Sequence, residues 1–214
     1  MIRVHGRETS SNVQPVMWLC AELGLDVERF DVGGAFGGTD TPEFLAMNPM
    51  GRIPVLQDGE LTMFESQAIL RYLASEYGRD AIWPSNARAR AVQDQWMEWA
   101  KQNVAAEFNY KVFWQLVRTP ASARDHALVQ SGIEAVKALM PMADDRIARQ
   151  GWLGGETISL ADFTFGVQLY RYYTVDFERP KTPNLDAYYA RLQEREPYRT
   201  HAMISYEALR VPGA

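Results

Sequence analysis

Two short stretches of this chain carry residue types that could hold a charged, peptide-like molecule. The first is Asn48-Pro49-Met50-Gly51-Arg52-Ile53-Pro54-Val55-Leu56, a turn followed by a proline inside an apolar β-run. The second is Glu65-Ser66, an acidic residue and a hydroxyl at the mouth of a helix that continues Gln67-Ala68-Ile69-Leu70. Proline removes a strand hydrogen-bond donor and sits badly in a central strand. It fits here if the Ile53-Pro54 bond is cis and the strand starts just after it. The backbone N–H and C=O of Ile53 are then free to pair with something other than the sheet. The N–H groups that open the helix at Ser66 form an anion site. A free backbone edge beside an anion site suits an extended peptide bearing a carboxylate.

The elements that must position these groups follow from spacing. Met1 to His5 reads as a strand ended by Gly6. Ser11-Asn12 can cap a helix with Val13, Val16, Met17, Leu19, Cys20 and Leu23 at helical spacing, stopped by Gly24. Val27 to Val32 alternates as a second strand. Gly33-Gly34-Ala35-Phe36-Gly37-Gly38 is a glycine-rich loop without the lysine-Ser/Thr pair of a phosphate loop. Thr41-Pro42 starts a short helical turn, and Asp58-Gly59 joins two strands as a hairpin. The helix from Ser66 runs to Tyr77. The order β-α-β-α-β-β-α implies one parallel pair with a right-handed crossover and a terminal antiparallel hairpin. Residues 81–86 read as a linker, and 87–214 as helical throughout. Ala87 to Val117 is one bent helix or two. Further starts fall at Ser122, in capping-box form with Asp125, at Ser159 with Asp162, at Thr182-Pro183 and at Pro197.

Composition narrows the function classes. The chain has 214 residues, 47% hydrophobic and 12% aromatic, enough for one large or two small cores. A net charge of −5 without a basic block argues against nucleic acid as a partner. No apolar stretch suggests a signal peptide or a membrane span, so a cytoplasmic protein is expected. The single cysteine, Cys20, excludes an internal disulfide framework, and its place among Val16 and Leu23 marks it as core rather than nucleophile. His5, His126 and His201 are scattered, so no metal site is expected.

At the Asn48–Leu56 and Glu65-Ser66 stretches the chain resembles the glutathione transferase superfamily, and the helix signals extend the likeness over its whole length. The resemblance implies an α/β thioredoxin-like N-terminal domain over 1–80 and an all-α helical bundle over 87–214. It implies that Ile53, preceding cis-Pro54, pairs with the cysteinyl backbone of glutathione and that Glu65 and Ser66 hold its γ-glutamyl end. Arg52 would help hold a carboxylate, and Phe36 would line the same site. Glutathione chemistry needs a thiolate, and a free thiol with a pKa of roughly 8.5 is mostly protonated at neutral pH. A donor aimed at sulfur and the positive end of a helix favour the anion. The family places its activating side chain ahead of the first helix, where this chain has Thr9-Ser10-Ser11-Asn12 and neither tyrosine nor cysteine. It therefore resembles the serine-type bacterial classes, with Ser10 ranked first, Asn12 second and Ser11 third. All three are also favoured helix caps. Among the dense aromatics of 108–114, the resemblance makes Tyr110, Phe113 and Trp114 candidates for a co-substrate pocket. It makes Ser159 and Asp162 a folding element of the core helix.

The activity so implied is attack of the glutathione thiolate on an electrophile or a peroxide. Two alternatives stand beside it: glutathione-dependent disulfide reduction, suggested by the Ser-x-Asn match, and a non-catalytic glutathione-binding or interaction domain. A homodimer is expected, because many aromatics need covering and the family resemblance points the same way. Glutathione as co-substrate and a small electrophile, peroxide or disulfide are the expected small-molecule partners, with no membrane partner.

Overall fold

The computed structural model describes residues 1–78 and 80–213. The chain forms two compact units, one of Met1–Arg79 with Glu196–Ile204, the other of Asp80–Arg195 with Ser205–Ala214.

The first unit is built on a four-stranded mixed sheet of β1 (Ile2–His5), β2 (Val27–Phe30), β3 (Val55–Asp58) and β4 (Leu61–Phe64), in the order β2-β1-β3-β4. β1 pairs parallel with β2 and antiparallel with β3, with Val4 opposite both Arg29 and Leu56. The parallel pair is bridged by α1 (Gln14–Glu22), and α2 (Pro42–Met47) leads to β3. Thr41 caps α2, its hydroxyl accepting the Phe44 N–H, with Pro42 at the first position, as its sequence predicts. Gly59, at φ 58°, supplies the left-handed first position of the two-residue turn joining β3 to β4. α3 (Ser66–Glu76) follows and turns Ile69, Leu70 and Leu73 inward. The core beneath the sheet is Val4, Val16, Leu19, Leu56, Ile69 and Leu70, all fully buried.

One piece of this unit comes from the far end of the chain. α9 (Glu196–His201), with Pro197 in its first turn, places fully buried Tyr198 edge-on to Trp18 at 4.8 Å. The linear division at residue 80 therefore departs from the packing, because Tyr198 finds its apolar partner on α1.

The second unit is helical: α4 (Ala87–Trp99), α5 (Trp114–Val117), α6 (His126–Gln150), α7 (Leu160–Thr174) and α8 (Pro183–Gln193). The segment Ala100–Phe113 runs on from α4 into α5 in widened π turns, and the Trp114 N–H reaches back five residues to Asn109 C=O. The segment 87–117, expected as one bent helix or two, is thus continuous and underwound in its middle, a geometry frequent at functional sites. The start of α6 differs from expectation. Asp125, not Ser122, is the cap, its carboxylate accepting the Leu128 N–H at 2.9 Å, while Ala121–Ala123 forms a separate 3₁₀ turn. At α7 the expected box is formed. Asp162 accepts the Ser159 N–H and hydroxyl, both at 2.9 Å, the Leu153 N–H at 2.8 Å and the Tyr188 hydroxyl at 2.9 Å. Burial pushes the Asp162 carboxyl above the usual range, and these four donors work against that shift. Among the described residues, no helix is long and apolar enough to cross a membrane.

Candidate functional site

The Ile53-Pro54 bond is cis, and the strand ladder begins after it, at Val55 paired with His5. Ile53 stays outside the ladder, and its N–H and C=O enter no hydrogen bond among the described residues. The turn ahead of it is pinned by buried Asn48. Its side chain accepts the Met50 N–H at 3.0 Å and donates to Arg52 C=O at 2.7 Å. This is an Asx turn completed by Gly51 at φ 59°, and it leaves the Arg52 side chain exposed. Asn48 has no role in the reading of the sequence, although Asn-x-x-Gly before the proline is the signal that could have supplied one.

Glu65 and Ser66 stand at the start of α3. Ser66 is buried at the first helical position, and the first-turn N–H groups of a helix have no intrahelical acceptor. Glu65, exposed to solvent, has φ 70° and ψ 111°, and among the described residues no other non-glycine has a positive φ. Such a backbone costs on the order of 1–3 kcal/mol and is retained where the surroundings or a ligand require it.

The third component is the loop from β1 into α1. Ser10 is 8% exposed. Its N–H donates to Arg7 C=O, its own C=O accepts the Val13 and Gln14 N–H groups, and its hydroxyl oxygen accepts the Asn12 N–H at 3.3 Å. Ser10 is therefore the residue that caps this turn. Capping uses a lone pair of the hydroxyl and leaves its proton available to an incoming anion. Ser11 and Asn12 are half-buried beside it.

These segments touch. A methyl at Gly6 would stand 2.5 Å from Val13 Cγ2 and 3.2 Å from Ile53 Cβ, so the entry to α1 and the cis-proline turn pack directly together. A methyl at Gly34 would stand 2.8 Å from Arg7 Nε, and that guanidinium also donates through Nη1 to Thr9 at 2.5 Å. Arg7 is thus held between the glycine-rich loop and the residues leading to Ser10. A single loop arginine carries no spacing signal, and the sequence reading passes over it. Phe36, in the short turn Gly34–Phe36, is 60% exposed.

The remaining candidates lie elsewhere. Cys20 is buried on α1, and burial first, then the charge of Asp58, pushes its thiol up to about 12, so it stays protonated. In the helical unit, Phe113 is fully buried, edge-on to Tyr206 at 5.1 Å with the Arg171 guanidinium over its face, and its ring is committed to that core. Tyr110 and Trp114 are 55% and 40% exposed and stand edge-to-face at 4.7 Å, with Arg118 over the Trp114 ring. Among the described residues, no three His, Cys, Asp or Glu side chains are placed to hold a metal.

Chemically, the first unit offers an unpaired backbone edge, a helix N-terminus flanked by a carboxylate, and hydroxyl and amide donors at a second helix N-terminus. Comparison with known proteins gives a consistent picture. The family model of the glutathione S-transferase N-terminal domain matches residues 3–75, and that of the C-terminal domain matches 106–196. The chain is 35% identical over 206 residues to glutathione S-transferase GstB of Escherichia coli, covering 95% of this chain and 99% of the relative. It is 35% identical over 164 residues to glutathione S-transferase 3 of Zea mays, covering 75% and 73%. A crystal structure of a theta class glutathione S-transferase from Xanthomonas axonopodis pv. citri, with glutathione bound, is 40% identical. It superposes with a TM-score of 0.90 over 95% of this chain and 98% of that one.

Proposed function

The chain belongs to the glutathione S-transferase family, and from that premise we propose that it binds glutathione across Ile53, Glu65 and Ser66 and activates its thiol at Ser10 and Asn12. The observation that carries this reading is Glu65, a strained acidic residue at a helix N-terminus, in the same unit as the unpaired backbone of Ile53. The Ile53 N–H and C=O pair with the cysteinyl backbone as a further strand would. Glu65 receives the α-ammonium of the γ-glutamyl end, and its carboxylate meets Ser66 and the N–H groups of α3. Arg52 is exposed and can reach the glycyl carboxylate, and Phe36 shields that end.

The sulfur then faces the start of α1. The Ser10 hydroxyl proton and the Asn12 amide donate to it, and the positive end of α1 adds to their effect. The thiolate attacks an electrophilic carbon, forming the C–S bond and releasing the leaving group or taking up a proton. With a hydroperoxide it attacks the terminal oxygen, the O–O bond breaks, and the departing alkoxide takes up a proton from water to leave as the alcohol. A second glutathione then reduces the resulting sulfenic acid to disulfide and water. In the helical unit, Tyr110 and Trp114 present exposed rings for the co-substrate, whereas Phe113 is fully buried and withdrawn from it. A second reading, glutathione-dependent disulfide reduction, draws on the direct link between Ser10 and Asn12. With Cys20 buried and protonated, glutathione would supply both thiols.

Calorimetry should show saturable glutathione binding that is weakened in Ser66→Ala, and no saturable binding overturns the proposal. Turnover with a chlorinated aromatic, a hydroperoxide and a small disulfide assigns the reaction. Loss of all three activities in a protein that still binds glutathione would leave a binding domain. The exposed Met50 and Leu45, 59% and 39% accessible, support a homodimer. Light scattering at micromolar concentration should give twice the 24.3 kDa chain mass.

A further inference from the structure

The end of the long helix in the second unit carries a cation with no counter-charge. Arg118 follows the last residue of α5, and its guanidinium lies over the Trp114 ring, 4.7 Å from the centroid. Among the described residues that side chain makes no hydrogen bond and no ion pair. Lys111, by contrast, is paired with Glu107 at 2.7 Å. A basic residue at a helix end can turn back onto the last carbonyls, but here they are already taken. Trp114 C=O accepts the Arg118 N–H and the Thr119 hydroxyl, Gln115 and Leu116 C=O accept from the Arg124 guanidinium, and Val117 C=O accepts the Val211 N–H. The N–H donors of the Arg118 side chain therefore have no acceptor among the described residues.

The neighbours of this cation define what it can hold. Trp114 and Tyr110 are 40% and 55% exposed and meet edge-to-face at 4.7 Å. Exposed rings of this kind accept a further ring, stacked or edge-on. A guanidinium takes a planar carboxylate through two parallel N–H···O bonds. A purely apolar molecule would leave Arg118 unused, and a small inorganic anion would leave the rings unused. A molecule that uses both is an aromatic ring bearing a carboxylate. Trp114 is 4.7 Å from each of its two neighbours, so ring and acid can be joined directly or through a short arm.

We propose that Tyr110, Trp114 and Arg118 select an aromatic electrophile that carries a carboxylate, with Arg118 as the residue that sets this preference. The inference rests on the reading that the exposed rings receive the co-substrate, and its test is a binding measurement that needs no turnover. The probe is 4-chloro-3,5-dinitrobenzoate, and 4-chloro-3,5-dinitrobenzamide is the comparator with the same ring and no charge. Titrated without glutathione into the isotope-labelled full-length protein, the benzoate should shift the Trp114 indole N–H and Arg118 Nε–H signals saturably. The benzamide should bind about fivefold more weakly, the preference that one exposed ion pair supplies. Arg118→Gln should bring the ratio of the two affinities to about one. Added salt should narrow the same ratio in the unmodified protein, which gives a readout that depends on no variant. With glutathione present, Arg118→Gln should raise KM for the benzoate about fivefold. Absence of saturable shifts, equal affinity for the two probes, or a ratio that Arg118→Gln leaves unmoved overturns the proposal, even where the protein conjugates both compounds. A carboxylate preference that depends on Arg118, in a protein that turns over neither compound, upholds the selection and counts against the transferase reading instead.

Discussion

Replacing Glu65 by glycine should make the protein more stable and a poorer binder of glutathione, and the opposite signs are what make the experiment informative. Glu65 holds φ 70° and ψ 111° directly before α3, a conformation that an L side chain resists and glycine accepts. Relief of that strain is worth on the order of 1–3 kcal/mol. Glycine returns roughly 0.5–1 kcal/mol of this through its greater freedom in the unfolded chain. The expected net gain is therefore about 0–2.5 kcal/mol, or a rise of up to roughly 10 °C in Tm for a chain of this size. The same change deletes the carboxylate, and a hydrogen bond to a charged group contributes about 1.5–3 kcal/mol. Glutathione affinity should fall by roughly 10- to 150-fold. Glu65→Ala separates the two effects, because alanine keeps the backbone strain and loses the carboxylate. Its affinity should fall equally while its Tm does not rise. Scanning fluorimetry and calorimetry on the three proteins decide the matter. Unchanged affinity in both variants refutes the role given to Glu65, and a Tm that falls in the glycine variant refutes the strain.

Ser10→Ala should raise the thiol pKa of bound glutathione by about one to two units, from the loss of a donor worth roughly 1.5–3 kcal/mol to the thiolate. Its Tm should fall only slightly, since the capping contact to Asn12 is long at 3.3 Å. Ultraviolet titration of the thiolate checks this, and a lower Tm with an unmoved titration would leave Ser10 a cap alone. Asn12→Ala should move the same titration in the same direction, whereas a shift confined to Ser11→Ala would overturn the ranking of the three. Asp162→Asn turns an acceptor of four donors into a side chain that donates, and should cost on the order of 3–5 kcal/mol in urea unfolding; a loss under about 1 kcal/mol would contradict the box. Hydroxyls of Tyr77 first and Tyr72 second donate to Asp58 and hold its carboxyl below the usual range. The folded state thus binds fewer protons there than the unfolded chain, so this stabilisation is present above pH ~4 and is lost as pH falls through the folded pKa. Asp58→Asn should flatten the acid side of the Tm–pH curve, and an unchanged slope would count against the triad.

The sequence was most legible where a residue type has one physical use. Pro54 cannot donate to a ladder, so the end of pairing at Val55 and the exclusion of Ile53 follow from a missing N–H. Ser159 and Asp162 at capping-box spacing, and Thr41-Pro42 at a helix start, are local events that chain neighbours decide alone. Legibility failed where the partner lies far along the chain. Nothing near Pro197 shows that Tyr198 will pack on Trp18, 180 positions earlier, and so join α9 to the first unit. Ser122 and Asp125 both fit a cap by type, and Gln115, which accepts into its side-chain oxygen the Asp125 N–H, helps fix the choice from ten residues away. The widened turns of 100–113 have no residue signature, and their buried Phe108 and Phe113 meet Tyr172 and Tyr206, which lie more than 60 positions further along the chain. Ser10 lies between these cases. Its type announces a cap, and the structure shows it capping Asn12 with a lone pair while the hydroxyl proton stays uncommitted. Capping uses the oxygen, and the activation proposed for Ser10 would use the hydrogen, so one hydroxyl can serve as cap and as donor without the two roles competing.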